Sequence, residues 1–184
     1  MAGRRVASLV LAGVLLAPAC TSAGSSTSPI PRPTAPSPSP TPSFDTVVVG
    51  TVTLYICATC ERAAEAAGIN LHADVVDMMR HIDGALAPPT AYVDIADNPE
   101  GTIPMIGVGG FSRGTRVSIS FDPHFPDLHA AVFQWLPRVL AHELEETKRR
   151  DALQAGATLK EWLITDGLAD SVSMEIFPQG PLNP

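Results

Sequence analysis

The sequence predicts an α+β domain over residues 44–184, on three observations. Short segments rich in valine, isoleucine and threonine alternate with helical segments as far as Phe121. Two long helical patterns then follow each other with no strand between them. The second of these opens on Thr158 with Glu161 three residues later, the spacing of a capping box.

The elements follow in order. Thr46 to Ile56 reads as a strand interrupted at Gly50. Cys60 to Ala67 is a short helix closed by Gly68. His72 to Leu86 carries Val75, Val76, Met79, Ile82 and Leu86 at helical spacing, and Pro88-Pro89 stops it. Ala91 to Ile95, Ile103 to Val108 and Arg116 to Phe121 are strands, with a turn at Asp97-Asn98-Pro99. Pro137 is placed in the first turn of a helix running to about Ala155 and ended by Gly156. The last helix runs from the capping box to about Phe177, before Pro178.

Ahead of this domain the chain reads as an address and a spacer. Arg4 and Arg5 precede an apolar run from Val6 to Ala17, short for a membrane span and suited to a signal-peptide core. Leu16-Ala17-Pro18-Ala19-Cys20 resembles the lipobox of bacterial lipoproteins, in which Cys20 would be lipidated and become the mature N-terminus at residue 20. The alternative is a plain secretory signal cut near Ala19. Residues 21–43 are almost wholly Ser, Thr, Pro, Ala and Gly, a composition with nothing to bury and with the Pro-x-Pro spacing of an extended tether. The expectation is an exported protein, lipid-anchored on the extracellular face of the cell membrane. It is secreted if Cys20 carries no lipid.

Charge narrows the partners. The net charge is −7, and Lys148-Arg149-Arg150 is the one basic cluster of the domain. Nucleic acid is excluded as an expected partner, because no basic stripe exists to neutralise phosphates.

The chemistry concentrates on the first long helix, in Ala141-His142-Glu143-Leu144-Glu145-Glu146. Residues four apart share a helix face, so His142 and Glu146 can converge on one metal ion while Glu143 stands beside them as general base. This is the logic of the H-E-x-x-H zinc helix with Glu146 in place of the second histidine. Asp166, about twenty residues on and on the next helix, is placed to supply a third ligand. The competing expectation is a solvated helix face. Glu145–Arg149 and Glu146–Arg150 have the favoured i, i+4 order of helix ion pairs, and Leu136, Leu140 and Leu144 form an apolar stripe elsewhere on the helix.

With Leu140-Ala141-His142-Glu143, Arg149, Asp166-Gly167-Leu168-Ala169-Asp170 and Met174-Glu175-Ile176-Phe177-Pro178, the chain resembles a bacterial domain-of-unknown-function family of predicted Zn-dependent proteases. Gly107-Val108-Gly109-Gly110-Phe111 and the segment Ser118 to Pro123 are also similar to it, so the resemblance runs from about Ile103 to Pro178. It implies a zincin-like metallopeptidase domain: a small mixed sheet, an active-site helix and a following ligand helix. It further implies zinc or another divalent metal on His142, Glu146 and Asp166, Glu143 as catalytic base, and a peptide or protein substrate. Glu146 and Asp166 depart from the family's histidine and glutamate, which opens the alternative of a catalytically silent envelope protein with the same fold. By the same resemblance, Arg116 to Phe121 is expected as the edge strand that holds an extended peptide.

Cys57-Ala58-Thr59-Cys60 supports a third reading, a thioredoxin-like thiol-disulfide protein, since the pair stands between a strand and a helix and Ile103-Pro104 follows. The simpler expectation is a local disulfide in an oxidising compartment. His124, His129, His72 and His81 are expected at the surface, and Trp135 and Trp162 between the two long helices.

Overall fold

A computed structural model describes residues 43–153 and 158–178. The signal segment, Cys20, the tether and the expected helix end at Ala155 and Gly156 lie outside the described residues. No helix among those described is long and apolar enough to cross a membrane.

The architecture is α+β, a five-stranded mixed sheet with helices. Strands β1 (Phe44–Val49) and β2 (Val52–Cys57) form an antiparallel hairpin, with Val49 paired to Val52. The single strand read across this region is therefore folded back on itself. Gly50 makes the reversal possible, since it sits at φ +57, where a Cβ would also strike the Asp83 carboxylate. Helices α1 (Ala58–Ala66) and α2 (Leu71–Leu86) follow, and β3 (Ala91–Asp97) returns parallel to β2. Then β4 (Val108–Arg113) and β5 (Arg116–Phe121) form a second hairpin, giving the order β1-β2-β3-β5-β4.

Two strand expectations change here. The segment Ile103–Val108 contributes only an isolated bridge between its two ends, and the strand begins where that segment stops. Arg116–Phe121 is interior, parallel to β3 and antiparallel to β4. The edge is β4. The Gly107-x-Gly109-Gly110 run had weakened the strand signal of β4, although the pairing partner β5 imposes extended backbone on it.

One sheet face is the core. Leu54, Ile56, Val93, Ile95, Val117, Ile119 and Phe121 alternate along β2, β3 and β5 and are buried. Leu71, Val75, Met79, Ile82 and Leu86 of α2 complete that core with Leu136, Leu140 and Leu144 of the long helix α4 (Leu136–Leu153). Each such side chain stabilises the fold by about 1.5–3 kcal/mol relative to exposure.

The entry to α4 differs from the expected proline-led start. A short helix α3 (Leu128–Ala130), capped by the Asp127 carboxylate accepting from the Ala130 N–H, runs through a widened turn over Ala131–Trp135 straight into α4. Pro137 thus lies within continuous helix. The wide turn before it relieves the clash that a proline ring makes with the carbonyl four residues back. Helix α5 (Leu159–Ile176) packs along α4, and its capping box forms as read: Thr158 accepts from the Glu161 N–H at 3.3 Å, and Glu161 accepts in return at 3.2 Å.

Candidate functional site

The middle of α4 is buried nearly all round. It lies against β4 and β5 and takes α5 along its length. Glu143, Glu145 and Glu146 are only 6%, 5% and 4% exposed, so the expected solvated face does not exist. Helical spacing alone could not show this, because burial of the second face depends on β4 and α5, which arrive from far away in sequence. Three carboxylates taken from water on one helix carry a heavy desolvation penalty unless each finds a partner.

Two of them do. Glu145 pairs with Arg149 and Glu146 with Arg150, each at 2.6 Å, as the i, i+4 reading expects. Lys148 completes the use of the basic cluster by donating to the Leu86 carbonyl at the end of α2, at 2.6 Å. Glu146 has a second donor in Ser112 of β4, whose hydroxyl lies 2.8 Å from the same Oε2. Arg150 donates to the Ser112 hydroxyl at 3.0 Å and to the Ser112 carbonyl, and its guanidinium stacks 4.7 Å from the Trp162 ring of α5. This network joins β4, α4 and α5 around one carboxylate.

Glu143 is different. Its Oε2 is buried with no hydrogen-bond partner among the described residues. Burial pushes its carboxyl above the ordinary value of 4.5; the Ser112 hydroxyl and the charge of His142 act the other way, Glu146 adds to the rise, and Arg150 opposes it. A hydroxyl has one proton, so Ser112 serves one carboxylate at a time, and here it faces Glu146. The closeness of strand and helix rests on Gly110. A Cβ there would lie 2.6 Å from the Glu143 Oε1 and 2.7 Å from the Val139 side chain.

His142 stands between two carboxylates of α5. Its Nδ1 is 2.9 Å from Asp170 Oδ1 and its Nε2 3.4 Å from Asp166 Oδ1. Ligating atoms of His142, Glu146 and Asp166 all lie within 4.8 Å of one another, so the structure unites the three residues read from the sequence as metal ligands. The set fits a divalent cation. If Nδ1–H is given to Asp170, Nε2 is oriented for a metal in the manner of carboxylate–histidine–metal triads. Asp170 was not assigned this role from the sequence. Its signal was there, one helical turn after Asp166 and so on the same face.

A cavity of about 350 Å³ opens over His142, Asp166 and Asp170, and Glu146 lies outside its lining. Ile103, Ile106, Trp135 and Val139 give it apolar walls, and His142, Glu143, Asp166 and Asp170 its polar floor. Trp135 therefore borders the cavity and lies 5.8 Å from the Arg138 guanidinium, whereas Trp162 joins the two long helices through Arg150.

Cys57 and Cys60 form a disulfide, and both are buried. The Cys57 sulfur also caps α1 by accepting from the Cys60 N–H at 3.1 Å. Thiol-disulfide chemistry needs an accessible sulfur, which this pair does not present. His124, His129 and His81 are at the surface. His72 is partly covered, 3.0 Å from Asp45 and 3.6 Å from Glu61.

Compared with protein families, characterised proteins and solved structures, the chain finds no match.

Proposed function

We propose that the domain is a metal-dependent peptidase of the zincin type, carried on an exported lipoprotein anchored through Cys20. The observation that carries the reading is Glu143, a buried carboxylate with an unpartnered oxygen beside a three-residue ligand set. Such a group costs folding free energy, and groups of this kind cluster at functional sites. His142, Glu146 and Asp166 would hold the ion, zinc or another divalent metal. A metal bound there would supply Lewis-acid polarisation of a carbonyl and an activated water. Glu143, its proton affinity raised by burial, takes a proton from the attacking water and delivers it to the leaving nitrogen. Asp170 holds the His142 ring. The antiparallel edge strand β4 lies against the site helix; on its outer edge Ile103 bridges Val108 and Arg150 takes the Ser112 carbonyl, which leaves the backbone of Gly110 between them. That edge suits an extended peptide, whose side chains could enter the apolar part of the cavity. The sequence resemblance implied Arg116–Phe121 for this role, and the pairing of that strand on both sides moves the role to β4.

A second reading, a catalytically silent envelope protein, is favoured by one observation. Glu146 Oε2 already accepts from both Ser112 and Arg150. The experiment that separates the two is incubation of the metal-loaded full chain with a mixture of unstructured peptides, read by mass spectrometry. The peptidase reading expects new cleavage products, and Glu143→Gln should slow their appearance by about 10²-fold or more without releasing the metal. Absence of cleavage under every metal, or equal rates in the variant, supports the silent protein.

A further inference from the structure

Replacing a ligand histidine by Glu146 changes more than ligand type. Beside Asp166 it brings a second negative charge to the ion, which would make the ion a poorer electron acceptor. The Arg150 guanidinium removes that charge at its source. It bonds the Glu146 oxygen at 2.6 Å, spans to Ser112 on β4, and lies 4.7 Å from the Trp162 ring centre. Glu146 and Arg150 are both largely buried, so water screens their attraction weakly. Trp162 stands four residues before Asp166 on α5, so one helix face presents both the residue that pins the guanidinium and a metal ligand.

We infer that Glu146 and Arg150 act toward the metal as one neutral ligand, the electrostatic equivalent of an imidazole, with Arg150 as the positioning and charge-tuning residue. The inference rests on the peptidase reading. The pair leaves the charge of the ligand set as a two-histidine, one-carboxylate site would have it. It also sets a competition, since the guanidinium and the ion draw on the same carboxylate. Arg150 therefore holds metal affinity below what the bare ligands would give.

The test is titration calorimetry of the metal-free full chain with zinc, manganese and cobalt, alongside thermal unfolding. Arg150→Gln should bind the ion about tenfold or more tightly, because a positive charge beside the ligand set is gone. Arg150→Lys, which keeps the charge, should stay close to wild type. Trp162→Ala, at a half-exposed ring, frees the guanidinium without removing it and should shift affinity in the same direction by less. That variant keeps the test open should Arg150→Gln fail to fold. A merely structural arginine would lower the melting temperature and leave affinity alone. If wild type takes up no metal, the peptidase reading falls and this inference with it. If wild type binds and Arg150→Gln and Trp162→Ala match it within about twofold, only the inference falls.

Discussion

Glu143→Gln should make the metal-free protein more stable at neutral pH. The wild-type carboxylate has one oxygen buried and unpartnered, and burial is the largest cause of its raised proton affinity. The folded state therefore binds this proton more tightly than the unfolded chain, whose carboxyl titrates near the ordinary 4.5. Below that value Glu143 is protonated in both states and costs nothing. As pH rises from there through the folded-state value, the fold must either keep the proton or bury a charge, and stability falls. Glutamine has nearly the same shape and never ionises. Glutamine leaves the same position unpartnered, so the gain is the extra cost of burying a charge in place of a neutral amide, on the order of 1–3 kcal/mol at neutral pH. For a domain of this size the gain is roughly 3–10 °C in melting temperature. Differential scanning calorimetry of both proteins in chelator, near pH 7.5 and near pH 4, measures it. The gap should be present at the higher pH and close at the lower. Destabilisation by the substitution at neutral pH would mean instead that the site holds the carboxylate favourably without metal.

Other outcomes follow from single contacts. Gly110→Ala should push β4 from α4 and lower stability by about 1–3 kcal/mol in urea unfolding, since its Cβ would meet Glu143 and Val139 well inside contact distance. The paired replacement Cys57→Ala with Cys60→Ala opens a loop of sequence separation 3 and should cost about 2 kcal/mol by chain entropy. In an insulin-reduction assay the reduced wild-type protein should be inactive, as both sulfurs are buried. Asp170→Asn should weaken metal binding by about 10–100-fold while leaving all three ligands in place, measured by competition with a chromogenic chelator.

Much of the site was legible because helices report their own geometry. His142 and Glu146 share a face by spacing, Asp166 comes from the next helix, and the Glu–Arg pairs form as their order predicts. The capping box at Thr158 and Glu161 is equally local. What depended on distant partners was not legible. Nothing within α4 says that Glu143, Glu145 and Glu146 are covered, because the cover is β4 and α5. The edge strand was misplaced for the same reason: strand order comes from pairing between segments, and the glycines of β4 hide its extended backbone. Those glycines have their own cause in the close approach of Gly110 to Glu143, a constraint visible only once both elements are in place. The hairpin at Gly50 was half seen, as an interruption whose direction only the antiparallel pairing of β1 and β2 decides.

Everything proposed for the site depends on His142, Glu146 and Asp166 holding one metal ion. Metal analysis of the full chain, loaded with zinc, manganese or cobalt and freed of excess ion, tests it most directly. About one divalent ion per chain is expected, lost in His142→Ala while the fold persists by circular dichroism. A wild-type protein that takes up none of the three metals, or a His142→Ala variant that retains its ion, would contradict it.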